Sequence, residues 1–203
     1  RQGSLKVYLG YAAGVGKTYA MLQEGLRLKQ QHVDVVIGYL EPHDRPETMA
    51  LAEHLETVPP REWRVGDAVF HEMDVEAILA RKPQVVLVDE LAHTNADGSK
   101  NDKRYSDVLE VLAQGINVIS TINVQHLESV AARVEEATGI AVRERIPDTV
   151  LRRADQVVNV DVTKEELRER LRQGKIYAPQ QAERALSSFF TYENLSFLRE
   201  LCL

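Results

Sequence analysis

The chain has 203 residues, 44% of them hydrophobic, enough for one sizeable core. Its net charge of -6 argues against a general nucleic-acid binder, whose surface is basic. The single cysteine, Cys202, excludes an intrachain disulfide or a cysteine-rich metal site, and no apolar run approaches the roughly 18–20 residues of a membrane span.

No secretory leader is read, and the start at Arg1 makes the chain read as a piece of a longer protein. Residues 5–9 (LKVYL) are apolar and bounded by Gly10, the pattern of a buried strand. A glycine-rich turn leads into a helix expected over 17–31, with Met21, Leu22, Leu26 and Leu28 on its apolar side. Residues 33–40 read as a second strand, broken at Glu41-Pro42-His43-Asp44. Pro46 suits the first turn of a helix running to Leu55, and Pro59-Pro60 closes that unit. Residues 68–71 read as a short strand, and Asp74 as the cap of a helix over 75–80. Residues 85–88 (VVLV) form an apolar strand entering Asp89-Glu90. Residues 96–104 (ADGSKNDKR) read as a polar loop, and 105–114 as an amphipathic helix stopped by Gly115. A strand over 117–122, a helix over 125–137 and a last strand over 156–162 follow. From Thr163 the pattern is helical, interrupted between Gly174 and Pro179.

Apolar strands alternating with helices predict an α/β fold, a mostly parallel sheet with helices on both faces. A nucleotide-binding domain is expected over 1–162, and over 163–203 a helical extension that packs on the sheet or leads to a further domain.

Phosphate binding needs backbone N–H groups converging at a helix start, a lysine for the outer phosphates and a hydroxyl for magnesium. The run from Gly10 to Thr18 supplies these between a strand and a helix, so the chain is expected to bind ATP with Mg2+ in a P-loop NTPase-like fold. The expected contacts are Gly10, Ala13, Gly14, Val15, Gly16, Lys17, Thr18 and Tyr19. Five residues separate Gly10 from Gly16-Lys17, where the usual pattern has four, which places Tyr11 at the loop mouth as a further nucleotide contact. Asp89 follows a buried strand, where ligands of open parallel sheets gather, and is expected to hold magnesium opposite Thr18.

Other residues carry two readings each. Glu90 polarises an attacking water or is a plain structural acid. Thr121 and Asn123 sense the terminal phosphate or cap the following helix. His93, His126 and His43 line the cleft or act as structural hydrogen-bonders, and no ligand spacing supports zinc. Lys100, Lys103 and Arg104 reach a phosphate as an arginine finger would, or form a solvated loop. Glu41, His43, Asp44 and Arg45 recognise a second substrate or transmit nucleotide state.

Longer motifs narrow this. Gly14 to Leu22 (GVGKTYAML), Val88 to Asn95 (VDELAHTN), Asn123 to Ser129 (NVQHLES), Gly174 to Tyr177 (GKIY) and Gln181 to Leu186 (QAERAL) occur in order across nearly the whole chain. They resemble the N-terminal cytoplasmic domain of the KdpD family of osmosensitive potassium-channel sensor histidine kinases. In that family the five-residue loop spacing also looks typical. The resemblance implies a regulatory ATP-binding domain of a membrane-anchored bacterial two-component sensor, cytoplasmic at the inner membrane, responding to potassium limitation and osmotic stress. It further implies that a universal-stress-protein-like domain, membrane spans and the kinase core with its phosphorylatable histidine lie beyond Leu203, with a response regulator as their partner. None of the six histidines here inherits the phosphorylated role. Two alternatives stand beside this reading: a small-molecule phosphotransferase of the nucleoside-kinase kind, and a motor-type ATPase.

Overall fold

The computed structural model describes residues 1–41, 45–174 and 191–202. Pro42, His43 and Asp44, the predicted break up to Pro179 and the motifs at 175–177 and 181–186 lie outside the described residues.

The expected apolar runs, together with the polar pair Glu56–Thr57 that no apolar run announces, become strands of one sheet. These are β1 (Leu5–Gly10), β2 (Val35–Tyr39), β3 (Glu56–Thr57), β6 (Val85–Val88), β7 (Asn117–Asn123) and β8 (Gln156–Asn159). Their order is β3-β2-β6-β7-β1-β8, and every neighbouring pair is parallel. Because side chains alternate along a strand, the sheet fills two cores. Tyr8, Val35, Ile37, Val85, Leu87 and Ile119 face α1 (Lys17–Gln30) and α2 (Pro46–Ala52). Val7, Val36, Val86, Val88, Val118 and Ile122 face the other layer. That layer holds α3 (Val75–Arg81), α4 (Arg104–Ala113), α5 (Glu128–Thr138) and α6 (Asp148–Arg152). Helix α1 lies close on the sheet because Gly25 has no side chain; a Cβ there would stand 2.6 Å from Leu87 Cδ1.

The tail joins the same core. Thr163 caps α7 (Lys164–Arg172) by accepting from the Glu166 N–H, and Leu167 and Leu171 are fully buried. Helix α8 (Tyr192–Cys202) buries Leu195 and Leu198 in that core as well.

The structure adds elements that the hydropathy pattern does not signal. Residues Arg61–Val65 form β4, which pairs antiparallel with β5 (Ala68–Glu72) across Gly66-Asp67 as a separate hairpin. β5 is the short strand expected over 68–71, whereas β4, with Arg61, Glu62 and Arg64 exposed, carries no apolar run. Helix α6 is too short to show a period, and a 3-10 turn over Val124–His126 delays the start of α5. Among the described residues, no helix is long and apolar enough to cross a membrane.

Candidate functional site

All six strands being parallel, their carboxyl ends share one edge, where the tips of β1, β6 and β7 open a cleft. Ala13, Gly14, Lys17, Thr18, Asp89, Glu90 and Asn123 line it, together with Arg45, Thr121, His93, His126 and Glu144.

The β1–α1 loop needs its glycines. Gly14 and Gly16 have φ of 89° and 104°, the left-handed region where a Cβ is strained. Gly16 starts α1 without a side-chain cap, and the first turn holds no acidic residue. The partial positive charge of the helix start is therefore not met by a carboxylate of its own helix. Lys17, half-buried, donates from Nζ to the Ala12 carbonyl at 3.2 Å. Removal from water lowers its pKa to about 8, with Arg45 adding to the effect and Asp89 and Glu90 opposing it.

Asp89, 1% exposed, collects donors from three elements. Thr18 Oγ1 lies 3.1 Å from Oδ1 and 3.3 Å from Oδ2, Thr121 Oγ1 donates to Oδ1 at 2.7 Å, and the Glu41 N–H donates to Oδ2 at 3.2 Å. The Thr18 hydroxyl and the Asp89 carboxylate are hard oxygen donors of the kind a magnesium ion takes, so these two residues fit such an ion. Thr121 also accepts from the Glu90 N–H at 2.9 Å, which ties β7 to the turn after β6. Thr121 lies inside β7 and caps no helix. Asn123 stands at the cap position of the 3-10 turn without a side-chain cap bond. Its Oδ1 is buried without a hydrogen-bond partner among the described residues.

Glu90 turns the chain at φ 53°, a left-handed conformation that a non-glycine residue rarely holds. Its side chain meets the solvent of the cleft. The surrounding cleft walls, then the charges of Glu41 and Asp89, push its pKa to about 7 against the pull of Arg104. A carboxyl poised there can hold or release a proton near neutrality.

Arg104 underpins this turn from inside. Its guanidinium is fully buried, donates to the Asp89 carbonyl at 3.0 Å, reaches Glu72 Oε1 at 3.5 Å and stacks 3.9 Å from the centre of the Tyr39 ring. Glu72 also takes His93 Nε2 at 2.7 Å and the Ala96 N–H at 2.7 Å. Burial works against the Glu72 carboxylate, but these partners outweigh it and lower its pKa.

Several expectations are corrected. Tyr11 does not line the cleft; it is fully buried and donates from its hydroxyl to the Val162 carbonyl at 2.8 Å. Arg104 is the first residue of α4 rather than a loop cation. Lys103 donates to the Ala92 carbonyl at 2.6 Å and to Thr94 Oγ1 at 2.9 Å, and Lys100 pairs with Glu110. The segment before α4 is itself tied down, with Asn95 and Asn101 both donating to Asp107. Elsewhere in the loop the Val15 side chain is buried in the core, a Cβ on Gly10 would meet Val15 and Lys17, and Tyr19 lies outside the cleft lining. His93 is a structural hydrogen-bonder to Glu72, and His126 Nδ1 lies 2.7 Å from the Glu144 carbonyl, with burial lowering its pKa. Glu72 and Glu144 carry no sequence signal. One ends a strand of the unrecognised hairpin, and the other, whose carboxylate accepts from the Thr94 N–H at 2.7 Å, lies in irregular chain.

The family described as "KdpD: Osmosensitive K+ channel His kinase sensor domain" matches residues 1–203. The chain is 53% identical over 203 residues to the sensor protein KdpD of Mycobacterium tuberculosis, covering all of this chain and 24% of that protein. It is 48% identical over 202 residues to the sensor proteins KdpD of Clostridium acetobutylicum and Escherichia coli, covering 22% and 23% of them. The chain thus spans about a quarter of the length of these relatives. It belongs to the KdpD family, in the part described as its osmosensitive K+ channel His kinase sensor domain.

Proposed function

We propose that this chain is a regulatory nucleotide-binding domain of P-loop NTPase-like character, which holds ATP with Mg2+ and turns it over slowly or not at all. The observation that carries the reading is the undercompensated Lys17 ammonium beside the Thr18–Asp89 oxygen pair, at a helix start framed by two left-handed glycines. The loop amides and Lys17 would take the phosphates, and Thr18 and Asp89 would hold the ion. Magnesium would neutralise phosphate charge. Asn123, with its unpartnered oxygen on the cleft wall, suits a polar contact to the nucleotide or its water.

Slow turnover is supported by what the neighbouring cations do. Lys103 and Arg104 are engaged inside the fold, so neither is available to meet a terminal phosphate. The relatives are named sensor proteins and are about four times as long as this chain. Nucleotide occupancy would therefore be passed to further parts of such a protein: a universal-stress-protein-like domain, membrane spans and a histidine kinase core acting on a response regulator. This chain would lie on the cytoplasmic side of the bacterial inner membrane.

One observation favours a second reading, a phosphotransferase or ATPase. Glu90, with a pKa near 7 in the cleft, has the properties of a general base. Titration calorimetry with ATP and Mg2+ tests the site: Lys17→Ala loses measurable binding, whereas Glu90→Gln keeps it. Unchanged affinity in the Lys17 variant sinks the assignment. Phosphate release at several turnovers per second, lost in Glu90→Gln, favours the second reading over the first.

A further inference from the structure

The back of the phosphate loop rests on the C-terminal helices. Arg170 of α7 donates from Nη1 to the Gly14 carbonyl at 2.9 Å, and Gly14 is part of the cleft wall. The same guanidinium pairs through Nη2 with Glu166, one turn earlier, at 3.1 Å. Tyr11, at the start of the loop, is bolted to the Val162 carbonyl just before α7. Asp161, which raises the Tyr11 pKa, is paired with Arg199 of α8. Leu167 and Leu171 of α7 and Leu198 of α8 are fully buried beneath. Two independent contacts, one at each half of the loop, therefore join it to the segment from Val162 to Arg172.

From this we propose that Arg170 is the positioning residue of the phosphate loop, and that α7 is the element through which nucleotide binding is passed along the chain. The physical reason lies in the Gly14 peptide. Gly14 holds a left-handed φ of 89°, a conformation that its neighbours must maintain. A guanidinium on its carbonyl fixes the peptide plane, and with it the direction of the next N–H toward a phosphate. Binding energy spent on ordering the loop is shared with α7, and linkage makes the effect reciprocal: whatever draws Arg170 away from Gly14 weakens nucleotide binding. Glu166 holds the same guanidinium through Nη2 and so orients it while Nη1 serves Gly14. The proposal rests on the loop being a nucleotide site. It adds that residues past 162 belong to that site.

The test uses the full 203-residue chain and ATP with Mg2+. Affinity is measured by calorimetry, and order in α7 by hydrogen–deuterium exchange of the Lys164–Arg172 amides, with and without nucleotide. ATP slows exchange in α7 of the wild type. Arg170→Ala lowers affinity by about fivefold or more, the lower range of coupling between sites, and leaves α7 exchange indifferent to ATP. Arg170→Lys, which can still donate to one carbonyl, recovers part of both effects. Arg172→Ala, on the same helix and paired only with Glu169 among the described contacts, behaves as the wild type. Wild-type affinity in Arg170→Ala with α7 still responding to ATP overturns this proposal and leaves the site intact. A wild-type chain that binds no nucleotide removes the site, and the proposal with it.

Discussion

Lys17 and Arg104 are two cations withdrawn from water on either side of Asp89, and they are opposites. Arg104 is compensated: a carboxylate, a backbone carbonyl and an aromatic face surround its guanidinium, although its Nε is buried without a hydrogen-bond partner among the described residues. Lys17 has the Ala12 carbonyl and only distant charges, and its pKa drops to about 8. A buried charge is expensive unless compensated, so the compensated cation acts as scaffolding, and the undercompensated one is what the proposed nucleotide site rests on. The same contrast explains why sequence inspection misjudges Arg104. A basic residue in a polar stretch looks available, and only its neighbours show that it is not.

The largest expected effect is at Arg104. Arg104→Met leaves Glu72 and the Asp89 carbonyl without their buried donor and destabilises the fold by about 3 kcal/mol, read from urea unfolding. A loss below 1 kcal/mol would erase the contrast. Lys17→Met should lose ATP binding while unfolding at the same urea concentration as the wild type, or a higher one, because it removes a desolvated charge.

The third effect is on pH. Lys17 has a folded pKa below its ordinary value, so the unfolded chain binds more protons between about 8 and 10.5, and this residue adds stability as pH rises through that window. Glu90 has a raised folded pKa, so the folded chain binds more protons between about 4.5 and 7, and this residue removes stability as pH rises there. For ATP the two act in one direction. Affinity falls as Glu90 ionises near pH 7 and again as Lys17 loses its proton above about 8. Glu90→Gln should flatten the first fall and spare the second in calorimetry from pH 6 to 9. Two surviving falls would mean that Glu90 is not the group titrating in the cleft. Smallest is Lys100→Ala, which breaks only the exposed pair with Glu110. Both its unfolding midpoint and its ATP affinity should match the wild type.

The centre of the sheet was legible because β1, β2, β6 and β7 are largely buried and read as apolar runs, as VVLV of β6 does, whereas the exposed two-residue edge strand β3 carries no such signal. Asp89 and Thr18 were legible for a related reason: a polar residue directly after a buried strand or a glycine turn has one place to go, the carboxyl edge. The hairpin was hidden because β4 alternates charged residues on exposed backbone, and its pairing with β5 depends on a partner rather than on its own pattern. Tyr11 was misjudged because position in a motif does not tell which side of the loop a side chain takes.

Local chemistry along the chain decides that a glycine-rich turn precedes a helix with Lys17 and Thr18 in its first turn, and that an apolar strand delivers Asp89. These follow from spacing, backbone preference and burial within single segments. Which charges compensate one another follows from strand order and from helices far apart in the chain. The order β6-β7-β1 puts Thr121 between Asp89 and the loop, α4 brings Arg104 under the Asp89–Glu90 turn, and α7 sets Arg170 on Gly14. Electrostatic compensation is a property of neighbours in space, so the difference between Lys17 and Arg104 exists only once the chain is folded.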